Sequence, residues 1–265
     1  MATPRLFRLK SQLAPAPEGP VATELPYARI YVDTGVFHLD TPYDYEVPEK
    51  FSEIVKTGVR VQVPFGNREV EGLVIERVVA PSVISGFKSI TKVLSHQLVA
   101  TPKSLELIAQ TAQRWATNPW DVIRSAIPPR IAAVDKDFSP TAFRSVRSSN
   151  QSDVCFRAFE PHISAHAQVA SIALDSIRKG SVLIVAPDER DIIAICAHLQ
   201  ASSAPVVRID SGLSRNDRYA NFLQSMQEQH QIVIGSRSAV FAPLPPGSTI
   251  IVFKESSPDL YEVRS

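Results

Sequence analysis

Residues 181–187 read SVLIVAP and residues 189–200 read ERDIIAICAHLQ. The first run is apolar without alternation, as a strand buried on both faces must be, and the second has the spacing of a helix. The same alternation extends in both directions. ASIALDSIRKG (170–180) predicts a helix ended by Gly180; PVVRID (205–210) predicts a strand, LSRNDRYANFLQSMQ (213–227) a helix, and QIVIG (231–235) and STIIVF (248–253) two more strands. Continuous apolar strands separated by helices mean a parallel sheet with both faces covered. Residues 161–265 are therefore read as an α/β domain.

Upstream the grammar changes. The polar run RSVRSSNQSD (144–153) marks 131–160 as a linker. Between residues 27 and 95 the chain alternates or clusters β-branched residues in YARIYVDT (27–34), GVRVQVPFG (58–66) and EVEGLVIERVV (69–79), punctuated by Gly35, Gly58 and Gly86. Short strands without a long helix between them predict a small β-barrel or curled sheet. TPKSLELIAQTAQRWAT (101–117) then takes a helical period, with Thr101 as N-cap, Pro102 as first residue and Leu105, Ile108, Ala109, Ala112 and Trp115 on its apolar face. A second short helix runs from Pro119 to Ile127 and stops at Pro128 and Pro129. The first domain is read as 27–130, preceded by a mobile tail, 1–26, that holds five prolines and no apolar period. The fold class is thus two-domain α/β.

Composition excludes several functions. A net charge of +1 over 265 residues leaves no cationic coat, so any nucleic-acid contact is local. Cys155 and Cys196 form no CxxC pair and no disulfide framework, which suits a reducing cytoplasm. Apolar runs fall far below the roughly 18 residues of a membrane span, so no membrane role is expected. The ten glycines leave none between 86 and 180. That gap removes the phosphate loop of a P-loop enzyme, which needs glycines so that backbone N–H groups can wrap phosphate. Where the loop belongs, before the helix at 170, the chain reads FEPHISAHAQVA (159–170); where an acidic pair should hold Mg²⁺, after STIIVF, it reads Lys254, Glu255, Ser256, Ser257. His162 and His166 stand at i, i+4 but lack a third ligand, so they are read as an incidental pair and no metal is expected. Trp115 and Trp120 are read as packing between the two helices in preference to stacking on bases.

In the first domain FHLDTPYDYEVP (37–48) holds two tyrosines around a carboxylate. One reading is a pocket in which Tyr43 and Tyr45 offer faces to a base and Asp44 accepts from a sugar hydroxyl. The other, the more ordinary on composition alone, is an edge segment with both tyrosines folded into the core.

TPYDYEVP, GVRVQVPFGNREVEGLVIE (58–76), FKSITKVLS (87–95) and RWATNPWDVIRSAIPPR (114–130) together resemble the 3′-DNA-binding domain of the PriA family of primosomal replication-restart proteins. SVLIVAPDE, RIDSGLSRNDRYANF (208–222) and IVIGSRSAVFAPL (232–244) are similar, in family order, to the family's first RecA-like lobe. The resemblance spans about residues 27–265. It implies a pocket for the 3′ end of a nascent strand at Tyr43, Asp44, Tyr45, Gly66 and Lys88, and branched or fork DNA as partner, with single-strand-binding protein and other primosome proteins alongside. The family carries ATP, Mg and Zn and unwinds DNA; here the nucleotide position is degenerate around Ser164, Ala165, His166, Lys254 and Glu255, and no cofactor is expected. The sequence is read as stopping after the first lobe, and its degenerate motifs are similar to those of actinobacterial PriA-like proteins, which implies action without helicase activity. Two alternatives stand beside this: a remnant ATPase that still binds nucleotide, and a primosome scaffold docking through apolar residues exposed in SRSAVFAPLPPG (236–247).

Overall fold

A computed structural model describes residues 19–82, 87–139, 153–227 and 230–261. The chain divides into two compact units between Ile123 and Arg124.

In the first unit, strands β1 (Tyr27–Val32), β2 (Tyr43–Glu46), β3 (Val59–Phe65), β4 (Arg68–Val78) and β5 (Lys92–Leu98) form one antiparallel sheet in the order β2-β1-β4-β3-β5. The approach to β5 swings back to β2: Glu46 N donates to Lys88 O at 2.9 Å and Ile90 N to Glu46 O at 3.1 Å, a parallel bridge centred on Ser89. The sheet is therefore curled until its two edges meet at this point, which gives the barrel-like form that the strand spacing implies. Ala28, Ile30, Val32, Tyr45, Val61, Val63 and Val74 fill its interior. Gly72 is dictated by packing, since a Cβ there would lie 2.5 Å from Ile30 Cγ2.

Order begins before Tyr27, contrary to the sequence reading. Ala22 is buried with its N–H on Val47 O at 2.8 Å, and the Arg77 guanidinium donates to Glu24 O and Leu25 O. Arg77 holds the segment that precedes β1 against the sheet. Residues 1–18 of the expected tail lie outside the described residues.

Helix α1 (Pro102–Trp115) starts as its sequence requires: Thr101 Oγ1 accepts from Ser104 N at 3.1 Å while Ser104 Oγ accepts from Thr101 N at 2.8 Å, a reciprocal cap. Helix α2 (Pro119–Ala126) follows after a left-handed Ala116. Trp120 is buried, while Trp115 is 54% exposed and its ring centre lies 6.0 Å from the Arg114 guanidinium.

In the second unit, α3 (Ala132–Asp137) is a helical turn inside the span read as linker; Arg130 Nε donates to Asp135 Oδ2 at 2.5 Å and Tyr219 Oη to Asp135 Oδ1 at 2.7 Å, and this pairing holds it. The polar run at its far side, 140–152, lies outside the described residues. Then come α4 (Ala165–Ser176), β6 (Val182–Val185), α5 (Glu189–Leu199), β7 (Val206–Ile209), α6 (Arg215–Ser225), β8 (Ile232–Gly235) and β9 (Thr249–Val252). The strands pair in parallel in the order β7-β8-β6-β9. Val182, Ile184, Ile232 and Ile234 meet Val169, Ala173, Ile192 and Ile195 of α4 and α5 on one face. Leu183, Val185, Val207 and Val233 meet Ala239, Ala242 and Leu244 on the other. The 236–247 segment thus covers the sheet in place of exposing its apolar side chains, although Val240 does point outward. Ala239, Ala242 and Leu244 are spent inside the unit.

Candidate nucleic-acid interface

The residues of the expected 3′-end pocket gather where the curled sheet closes, but not all present their side chains. β2 alternates, so Tyr43 and Tyr45 point to the interior and Asp44 to the opposite face. Tyr45 is 4% exposed; its hydroxyl donates to Pro64 O at 3.2 Å, and burial, with Tyr43 beside it, pushes its phenol far above the ordinary range. Its ring is not offered to a base. Tyr43 is half-buried and packs edge-to-face on Phe65, with ring centres 5.2 Å apart.

The Asp44 side chain is 2% exposed. It accepts from the Ser82 backbone N–H and stands 3.5 Å from Arg29 Nε, while Arg29 Nη1 donates to Glu76 at 2.6 Å. The Glu76 hydrogen bond, followed by the charges of Glu76 and Asp44, raises the Arg29 pKa against the cost of burial. Asp44 Oδ1 and Arg29 Nε form no hydrogen bond, so this pair is electrostatic only. A carboxylate held in this way is engaged by the protein's own groups. The expected arrangement of two rings flanking an open acid is therefore corrected: strand alternation divides them between two faces.

What the structure does bring together is Asp44's main chain, Gly66 and Lys88. Glu46 spends its N–H and C=O on residues 88–90, so by the two-residue repeat the N–H and C=O of Asp44 face the same edge. Gly66 opens the two-residue turn between β3 and β4 with φ +58°, as a II′ turn needs, and nothing lies within 4 Å of where a Cβ would be. Lys88 Nζ donates to Gly66 O at 3.3 Å. The rim therefore sets an uncluttered turn and the Lys88 ammonium group beside the edge of β2.

Comparison with known proteins places this geometry. The family model of the PriA 3′DNA-binding domain (3′BD) matches residues 29–128. The probable replication restart protein PriA of Mycobacterium tuberculosis (strain H37Rv) is 29% identical over 253 residues, covering 86% of this chain and 38% of the relative. The corresponding protein of Mycobacterium leprae is 27% identical over 256 residues, covering 86% and 39%. Replication restart protein PriA of Bacillus subtilis is 42% identical over 48 residues, 18% of this chain and 6% of the relative. Over most of its length the chain is similar to proteins named PriA. It spans about 38% of the length of the mycobacterial relatives that it matches.

The residues that the resemblance assigns to a degenerate nucleotide position lie in the second unit, where Asp191 centres a hydrogen-bonded network. Lys254 Nζ donates to Asp191 Oδ1 and Oδ2 at 2.8 and 2.9 Å, and His166 Nε2 stands 2.7 Å from Asp191 Oδ1. Burial works against the Asp191 carboxylate, yet the hydrogen bonds and charges of His166 and Lys254 outweigh it and hold its pKa below the ordinary aspartate value. Lys254 adopts φ +50°, a costly conformation for a residue with a Cβ, and lies 5.1 Å from the Phe253 ring centre. Ser164 caps α4 by accepting from Ala167 N, Ala165 packs on the core, and Glu255 is exposed and apart from the cluster. His162 pairs with Glu160 at 3.2 Å, so the two histidines do not converge.

These residues do not fit a triphosphate and its Mg²⁺. The buried carboxylate is already neutralised by a lysine, and no glycine lies between 86 and 180 to wrap phosphate. Asp191 was missed by the sequence reading. Its signal is faint: an acid three residues after the Asp188 cap, whose Oδ1 accepts from Asp191 N at 2.8 Å, reads as ordinary helix-start chemistry.

Proposed function

We propose that this chain recognises the free 3′ end of a nascent DNA strand at a fork or branch, as a replication-restart factor, and does so without unwinding DNA. The observation that carries the reading is the rim at which Lys88 reaches the Gly66 turn beside the edge of β2. A terminal sugar hydroxyl is both donor and acceptor, and the Asp44 main chain offers both partners. A 3′-phosphate adds about 1.5–2 negative charges. One ammonium meets that charge, while Glu46 lies on the same strand with its carboxylate on Ser89 Oγ at 3.1 Å. The Asp44 carboxylate serves this site indirectly, by fixing the Ser82 backbone.

The part of the proposal that dispenses with ATP rests on the His166–Asp191–Lys254 network, which supplies internally the countercharge that Mg²⁺ and nucleotide supply elsewhere. The same reading places the protein in the cytoplasm, with primosome proteins and single-strand-binding protein as partners at the fork. Among the described residues no helix is long and apolar enough to cross a membrane.

The test is fluorescence anisotropy on fork DNA carrying a 3′-hydroxyl or a 3′-phosphate, with and without ATP and Mg²⁺. The hydroxyl end is expected to bind more tightly, Lys88→Ala to weaken it, and ATP to change nothing. Equal affinity for the two ends sinks the end-recognition reading; a shift on adding ATP sinks the nucleotide-independent one.

A further inference from the structure

The parallel sheet of the second unit has two edges, β7 and β9, and the chain treats them differently. At β7, Arg208 sets a charge in mid-strand that Asp210 pairs at 2.9 Å, and Arg208 O accepts from Asn221 Nδ2 at 2.9 Å, so side chains close that edge. β9 is Thr249, Ile250, Ile251 and Val252, with no charge, proline or bulge to blunt it. Thr249 N donates to Ser181 O and Phe253 N to Val185 O, both at 2.9 Å, so by the two-residue repeat the main chains of Ile250 and Val252 face outward. Among the described residues no group takes them up. The side chains tell the same story. In register, Ile250 stands beside Leu183 and Val252 beside Val185. Ala239, Ala242 and Leu244 pack on Leu183 and Val185, but this cover stops short of β9, where Ile250 is 58% and Val252 50% exposed.

We propose that β9 pairs antiparallel with β9 of a second copy of this chain, about a two-fold axis that passes through the sheet at Ile251. The occupant follows from what the edge asks for. It needs a strand that offers a donor and an acceptor at every second residue and apolar side chains on one face, and β9 itself supplies both. The two-fold turn sets Ile250 of each copy against Val252 of the other. Their outward main chains then exchange hydrogen bonds, and the four exposed side chains share one face. Charge agrees: the paired strands hold none, and Lys254 just beyond them is already bonded to Asp191, so no like charges meet at the axis. Two four-residue strands make a contact small beside the roughly 1,200–2,000 Å² of a stable interface, so the dimer is reversible and fills as concentration rises. The rival strand for this edge is the run 153–158, without helix, turn or strand, in which Val154 and Phe156 are 79% and 86% exposed. Phe159 tethers that run to the face that α4 and α5 cover, with its ring centre 6.2 Å from that of Phe253, and not to the edge.

The experiment is sedimentation velocity on the full chain across a wide range of concentration, at low and at high salt. The parent is expected to pass from monomer to dimer as concentration rises. Ile250→Lys is expected to weaken the dimer by about tenfold or more, because an ammonium group loses water against an apolar strand, and Val252→Lys to do the same. Both side chains are half exposed, so urea midpoints are expected to stay at the parent's value. Ile250→Lys combined with Val252→Glu is expected to restore the dimer, since the two-fold register sets each lysine against a glutamate of the other copy, and to make it weaken with salt where the parent does not. A parent that stays monomeric overturns the proposal, and so does a dimer indifferent to Ile250→Lys. A double variant that stays monomeric overturns the antiparallel register. A dimer lost in Phe156→Ser gives the edge to the run 153–158 and overturns the pairing of β9 with itself.

Discussion

Asp191 shows how one residue changes what a fold is able to do. At the position of a nucleotide site it would be an acid free to meet Mg²⁺ through water; bonded to Lys254 and His166 it becomes a structural anion. Its folded pKa lies below the unfolded value, so its stabilisation is complete above the ordinary aspartate value near 4 and is lost as pH falls through the lower folded value. Asp191→Asn is expected to destabilise the second unit at pH 7 by about 1–2 kcal/mol. This is less than the loss for a fully buried pair, because Lys254 is half exposed. The variant is also expected to lose less stability than the parent between pH 5 and pH 2. Urea titrations at both ends of that range measure it, and parallel acid limbs for the two proteins would show that the network does not set acid stability. Tyr45 makes a matching case in the first unit: Tyr45→Phe keeps the ring, removes the bond to Pro64 O, and is expected to cost about 1 kcal/mol while leaving DNA affinity unchanged.

At the scale of elements, the first unit is organised by what flanks its strands. Asn118 joins the loop after β1 to the start of α2 through one amide. Asn118→Ala removes an N-cap and leaves three carbonyls short of a donor, so a loss of about 2–3 kcal/mol is expected in chemical denaturation followed by Trp120 fluorescence. A loss under about 0.5 kcal/mol would show the clamp to be incidental. Much of this level was legible from the sequence. Thr101 and Pro102 mark the start of α1, and the unalternating run at Val182–Val185 marks a strand covered on both sides, because caps and burial are local or periodic properties. The division of β2 was equally available, since Tyr43, Asp44 and Tyr45 cannot share a face in a strand; reading them as a loop pocket set the two-residue repeat aside. The Asn118 clamp and the Asp191 network were not legible. Their partners lie about 80 and 63 residues away in sequence, and neither spacing nor composition encodes a contact across such a distance.

For the whole molecule, the decisive quantity is charge. A net charge of +1, with 28 basic and 27 acidic residues, provides no broad field to draw DNA in. On the proposed function, binding comes from local contacts, Lys88 at the rim and the main chain of β2. Each phosphate neutralised on a single strand contributes about −0.7 to the slope of log K against log salt, so engagement of one or two phosphates predicts a slope no steeper than about −1.4. Raising salt from 50 to 200 mM is then expected to weaken binding to 3′-tailed DNA by less than about tenfold, where a protein coating six or more phosphates loses about a thousandfold. Lys88→Ala should flatten the slope by about 0.7, as the loss of one phosphate contact does. Anisotropy across that salt range, for the parent and for Lys88→Ala, measures both slopes. A steep slope in the parent would mean that a cationic surface other than this rim carries the binding.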